Sequence, residues 1–148
     1  MVASSLQNND VSHTFSQADM TDNASLNVYR HYNSTGLPLA VNNKLGEGVL
    51  MQTNNTTEQG KSNLEVNVQG NKNDSRHLTD NVKNVKNTFA HEKKHRTDFV
   101  ADPEKAVKRS ISKTELRAIE AQKKDPTYQG TTKDYKNAVN EYEKQNKK

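Results

Sequence analysis

The sequence predicts an α+β fold: a small antiparallel sheet followed by a helical half. Three observations predict it. Leu64, Val66 and Val68 alternate with Glu65 and Asn67, the period-two pattern of a half-buried strand. From Leu78 the period changes, and Leu78, Val82, Val85 and Phe89 follow the 4-3-4 spacing of a helix face. Beyond them, Asp102-Pro103 and Asp125-Pro126 divide the remaining chain into helical lengths. Strands that precede helices, rather than alternate with them, describe an α+β plan.

The elements follow in order. Residues 1–23 are rich in Ser, Asn, Gln and Asp around isolated apolar residues, and read as a flexible N-terminal arm or linker. Residues 24–148 then form one domain. Leu26 to Tyr32 reads as a strand closed by the turn Asn33-Ser34-Thr35-Gly36. Leu37 to Val41 contains Pro38 and is at best an edge strand. Gly48 to Thr53 and Asn63 to Gln69 are further strands, the latter followed by the turn Gly70 to Asp74. The first helix begins near Arg76, with Thr79 or Asp80 as its cap. Asp102-Pro103-Glu104 starts a second. Ser112 to Lys123 is a third, with Ser112-Lys113-Thr114-Glu115 as a capping box and Ile111 with Leu116 as a staple. Thr131 to Gln145 is the last, capped by Thr131 with Asp134 and carrying Tyr135, Ala138, Val139 and Tyr142 on one face.

Composition narrows the function classes. Only 30% of the 148 residues are hydrophobic and mean hydropathy is −1.13, so the core is small. Cysteine is absent, which excludes disulfides, thiolate metal ligands and a cysteine nucleophile. The chain has no apolar run of membrane-spanning length, and Met1 to Asp10 lacks the features of a signal peptide. The net charge of +4 comes from Lys and Arg interleaved with Asp and Glu. That pattern describes solvated helix faces and argues against nucleic acid as a partner.

One motif carries chemistry. His91-Glu92-Lys93-Lys94-His95 is H-E-x-x-H in full. On a helix, His91 and His95 lie one above the other, where two imidazoles can supply two ligands of a catalytic zinc. Glu92 is rotated by about a quarter turn on helix geometry, so its carboxylate reaches a water rather than the ion. A third protein ligand is needed, and a carboxylate is the usual one. Glu115 is the first candidate, because it shares an inward face with Ile111, Ala118, Ile119 and Gln122. A capping role would also explain Glu115 without a metal. Glu120 and Asp98 are alternatives. Asp98, three residues after His95, can instead accept a hydrogen bond from a ligand imidazole or pair with Lys94. Tyr128 and Tyr135 are candidate donors to an oxyanion, or core rings. His13, His31 and His77 read as surface histidines.

The stretch Asn84 to His95 resembles the active-site helix of zincin metallopeptidases. Glu115-Leu116-Arg117-Ala118-Ile119-Glu120-Ala121-Gln122, followed by Asp125-Pro126-Thr127-Tyr128, is similar to small metallopeptidase-like domains at the C-terminal ends of bacterial polymorphic toxins, including those with RHS repeats. The resemblance spans about Asn81 to Gln145. It implies zinc as cofactor, His91, His95 and Glu115 as ligands, Glu92 as general base, and a short sheet beside the cleft. It also implies a protein or peptide substrate, an immunity or inhibitor protein as partner, and delivery as the C-terminal part of a larger secreted protein. No third His stands in an H-E-x-x-H-x-x-G-x-x-H arrangement, so the metzincin branch is excluded, and no N-E-x-x-S-D string supports the thermolysin-like one.

The expected function is therefore zinc-dependent hydrolysis of peptide bonds, with Leu64 to Val68 as a strand edge that could hold an extended substrate. Two rivals remain. One is a non-catalytic binding or structural module of a bacterial surface protein, whose mark would be two exposed imidazoles with no carboxylate nearby. The other is a zinc hydrolase acting on something other than peptide.

Overall fold

A computed structural model describes residues 39–41, 51–55, 62–66 and 76–148. The expected arm at 1–23, the strand Leu26 to Tyr32, the turns at 33–36 and 70–74, His13 and His31 lie outside the described residues.

The fold is mostly helical, which corrects the α+β expectation. From Arg76 to Lys148 there is no strand, and nearly every residue lies in a helix or a 3-10 turn. The strands among the described residues are short: β1 (Leu39–Val41), β2 (Met51–Asn55) and β3 (Ser62–Val66). Their order is β1-β3-β2, with β3 antiparallel to β2 but parallel to β1, so the sheet is mixed rather than antiparallel. Segments of three to five residues make only a small sheet, and among the described residues the helical part supplies most of the buried core, joined by Met51 of β2. β3 is the central strand, which removes Leu64 to Val66 as a free edge for substrate, while Asn67 and Val68 lie outside the described residues.

Among the described residues there are four α-helices: α1 (Val82–Ala101), α2 (Pro103–Lys108), α3 (Ile111–Lys124) and α4 (Lys133–Asn146). A 3-10 turn at Leu78–Asp80 precedes α1 and another at Pro126–Gly130 joins α3 to α4. The Asp-Pro boundaries form as expected. Asp102 accepts from the Lys105 amide at 3.0 Å, and Asp125 accepts from the Thr127 amide at 2.9 Å. The other caps fall on neighbours of the expected residues. Asn81, not Thr79 or Asp80, caps α1 by accepting from the Lys83 and Asn84 amides. Ser110, not Ser112, caps α3. Thr132, not Thr131, caps α4. The capping box at Ser112 does not form, and Ile111 is solvent-exposed rather than stapled to Leu116.

Leu78, Ile119, Tyr135 and Val139 make the central apolar cluster, with Tyr128 and Ala138 against it. Val82, expected on the α1 stripe, is exposed, while Val85 and Phe89 are buried. Two asparagines of α1 tie the helices together. Asn84 donates to the Leu78 carbonyl at 2.9 Å and to Thr132 Oγ1 at 3.0 Å, and accepts from the Thr132 amide at 2.9 Å. Asn87 donates to the Gln122 carbonyl at 2.8 Å, one of the carbonyls left without an intrahelical partner in the last turn of α3. No helix among the described residues is long and apolar enough to cross a membrane.

Candidate metal centre

The centre is built where α1 packs against α3, with β2 also in contact with α1. One helical turn separates His91 from His95, and their rings meet edge-on with centroids 4.9 Å apart. Their Nε2 atoms are 3.2 Å apart. His91 and Glu92 are buried, at 8% and 5% exposure. Together with His95 they form a group that could hold a metal ion, with ligand atoms all within 4.8 Å of one another.

Glu115 arrives from α3. Its Oε2 lies 2.9 Å from His91 Nε2 and its Oε1 lies 3.4 Å from His95 Nε2. Because Ser110 caps α3, the Glu115 carboxylate is not used at the helix start and points into the centre. Burial pushes that carboxyl up, but the hydrogen bonds and charges of the two histidines outweigh it and hold it at about 2. Burial likewise pushes the His91 imidazolium down, yet the hydrogen bond it donates to Glu115 and the charges of Glu92 and Glu115 leave it raised.

Glu92 has a different environment. Burial raises its pKa, opposed by the charges of His91 and His95 and by a hydrogen bond from Thr53. The Thr53 hydroxyl of β2 donates to Glu92 Oε2 at 2.6 Å, with the Glu92 carbonyl 3.1 Å away as a second acceptor. Of the two carboxylates near the imidazoles, Glu115 therefore faces both rings directly, and Glu92 stands beside them under the control of β2.

The remaining expected residues are placed as follows. Glu120 is exposed and bonded to Lys124 at 2.7 Å, facing away from the centre, so it is not an alternative ligand. Asp98 does not serve a ligand imidazole. It receives both Nε and Nη2 of Arg117, at 2.8 and 3.0 Å, with Lys94 at 3.1 Å and Arg109 at 3.6 Å. The Arg117 hydrogen bond first, then Lys94, outweigh burial and hold its carboxyl at about 2. His77 is half-exposed and near Asp80. Tyr128 packs on the core, and Tyr135 is buried with its hydroxyl between Thr88 and Gln122.

Four residues of the site carry roles the sequence does not announce. Tyr142 faces the centre, its ring centroid 6.5 Å from that of His91. Burial and then the neighbouring Glu115 carboxylate push its phenol up to about 12. Its signal is the seven-residue step from Tyr135, two turns along the same face. Gln122 accepts a short hydrogen bond at its Oε1 from His91 Nδ1. It too lies seven residues from Glu115 on the inward face of α3. Asn87 and Thr53 have no local signal, since their partners lie 35 and 39 residues away.

A cavity of about 940 Å³ opens over the centre, lined by His91, Glu92, His95, Glu115 and Tyr142 and by apolar side chains including Phe99 and Val107. No protein-family model, curated protein or solved structure matches the chain.

Proposed function

We propose that the chain is a single-zinc hydrolase that cleaves peptide bonds, with His91, His95 and Glu115 as the metal ligands and Glu92 as general base. One observation carries the reading. With zinc–nitrogen and zinc–oxygen distances of about 2.0–2.2 Å, tetrahedral ligands stand about 3.3–3.6 Å from one another. The separations here are 3.2 Å between the two imidazole nitrogens, and 2.9 and 3.4 Å from those nitrogens to Glu115 oxygens. Three donors on three sides of one point, from two helices, are the nitrogen and oxygen set of a catalytic zinc with its fourth position left to the cavity. A buried and a half-buried imidazole with a carboxylate against them are also the opposite of what a fortuitous motif on a binding module requires.

Zinc held there supplies a Lewis acid that polarises a carbonyl and acidifies water. The chain supplies the rest. Glu92 stands beside the donor triangle, where its carboxylate can take a proton from water and return it to the leaving amine, and burial raises its pKa in the direction that favours a base. Thr53 fixes the direction of the Glu92 carboxylate. Tyr142, neutral at working pH, replaces Tyr128 and Tyr135 as the side chain able to donate to a developing oxyanion. The open, partly apolar cavity admits an extended chain.

The test is metal analysis of protein purified without chelator, followed by a degradation screen against protein substrates. One zinc per chain, with cleavage lost on chelation and restored by zinc, is the expected result. Absence of stoichiometric zinc sinks the proposal; zinc with cleavage of only non-peptide substrates moves it to the other hydrolase class.

A further inference from the structure

The hydrogen bonds behind His91 have only one consistent direction, and it can be worked out from groups that can only accept. Asp125 Oδ1 accepts from the Thr127 hydroxyl at 2.5 Å. Thr127 has then used its proton, so its oxygen can only accept, and it takes Asn87 Nδ2 at 3.1 Å. The same nitrogen donates to the Gln122 backbone carbonyl, a second group without a proton. With its amino group so placed, Asn87 must turn Oδ1 toward Gln122 Nε2, 3.1 Å away. A separate branch gives the same answer. The Asn84 carbonyl accepts from the Thr88 hydroxyl at 2.8 Å. Thr88 therefore accepts from the Tyr135 hydroxyl at 3.0 Å, and Tyr135 in turn accepts from Gln122 Nε2 at 3.2 Å.

Both branches demand that the Gln122 amino group point away from His91. Its Oε1 therefore faces the ring, and an amide oxygen only accepts, so His91 Nδ1 must carry a proton. The nitrogen outside this network is Nε2, which faces the Glu115 carboxylate at 2.9 Å and His95 at 3.2 Å; in the metal-free protein it donates to Glu115, and a bound metal ion would displace that proton rather than the one on Nδ1. We infer that Asp125, Thr127, Asn87 and Gln122 form a one-way hydrogen-bond chain that fixes His91 with its Nδ1 protonated and commits Nε2 to a divalent metal ion. These are positioning residues: none touches the ion, and each acts through the next. A turned Gln122 amide would oppose its oxygen to two acceptors and its amino group to the protonated Nδ1, so the chain has no second arrangement at similar energy. The inference rests on the metal-centre reading for its consequence, but not for its geometry.

The experiment separates the two. Nitrogen-15 spectra of histidine-labelled protein, with and without one equivalent of zinc, report which His91 nitrogen carries a slowly exchanging proton. The expected result is a protected Nδ1 proton in both samples and ligation through Nε2 in the loaded one. Gln122→Leu then lowers zinc affinity by about 10–100-fold, the usual loss for an outer partner of a metal ligand. Thr127→Val weakens it in the same direction, and Thr127→Ser, which keeps the hydroxyl, restores it. Ligation through Nδ1, an exchanging Nδ1 proton, or unchanged affinity in Gln122→Leu overturns the chain. If Gln122→Leu does not fold, the wild-type spectra and the Thr127 pair decide. A protected Nδ1 proton in a protein that takes up no zinc supports the chain and removes the metal instead.

Discussion

In its first two turns α1 buries Asn84 and Asn87, and in the next turn it buries His91 and Glu92, all with less than a tenth of their surface exposed. The two stretches bury polar groups under opposite conditions. Each asparagine meets partners of complementary kind: carbonyls and hydroxyl oxygens for its amino group, amide donors for its oxygen. Such groups recover in hydrogen bonds what they lose in hydration. Around His91 the balance differs. Two carboxylates and two imidazoles converge, and burial drives the Glu92 pKa up rather than leaving the charge compensated. A cluster of ionisable groups is costly to bury unless a cation completes it. The Asn84–Asn87 stretch of α1 thus ties the helices together, and the His91–His95 stretch gathers the ionisable groups of the candidate site.

That contrast can be broken most directly at Glu92. Glu92→Gln is expected to lower peptide cleavage by about 10²–10⁴-fold, the range for loss of a general base, with zinc still bound at one per chain. The same variant removes a buried acid whose pKa is raised on folding, so the metal-free protein should be at least as stable as wild type at neutral pH. A clear fall in melting temperature would place Glu92 on the structural side of the comparison. Glu115→Gln should lower zinc affinity by more than the ~100-fold that bounds loss of an outer partner, whereas Glu120→Gln leaves it unchanged. Isothermal titration with zinc measures both.

On the structural half, Asn87→Leu is expected to cost about 2–4 kcal/mol in urea unfolding, because the Gln122 carbonyl and amino group and Thr127 all lose a buried partner. A loss below 1 kcal/mol, on the same scale of buried hydrogen bonds, would mean that water replaces the amide and that the first half of α1 is not what ties α3 to it.

Much of the site was legible because it is local. The i, i+4 step of His91 and His95 is a property of one helix turn, and the inward aim of Glu115 follows from its spacing to Ala118, Ile119 and Gln122. The capping residues were displaced by one or two positions because several capable side chains stand side by side, and distant contacts choose among them. Thr132, for example, is chosen where its amide meets Asn84, 48 residues earlier. The same holds for Thr53 against Glu92. The sheet was misread for a related reason: alternation in Asn63 to Gln69 describes one strand, while the parallel pairing of β3 with β1 is a property of two segments and of the path between them. The described strands are only three to five residues long, whereas the helices run almost unbroken from Val82 to Asn146, and the balance of the described fold lies with them.

Asp98 provides the smallest and most discriminating effect. As a partner of a ligand imidazole it would control zinc affinity; as the carboxylate that joins Lys94 on α1 to Arg109 and Arg117 it controls stability alone. Its folded pKa of about 2 lies below the unfolded value of about 3.9. A depressed acid contributes stability that is fully present above the unfolded pKa and is lost as pH falls through the folded one, so the effect should disappear between about pH 4 and pH 2. Arg117 is partly solvated, which limits the gain to about 1 kcal/mol at neutral pH. Asp98→Asn should therefore unfold at slightly lower urea than wild type at pH 7, by an amount that vanishes near pH 2. Zinc affinity should stay well short of the ~10-fold change that marks loss of an outer partner. A tenfold or larger drop would return Asp98 to the metal centre, whereas a pH-independent difference in stability would mean that packing rather than charge joins α1 to α3 at this point.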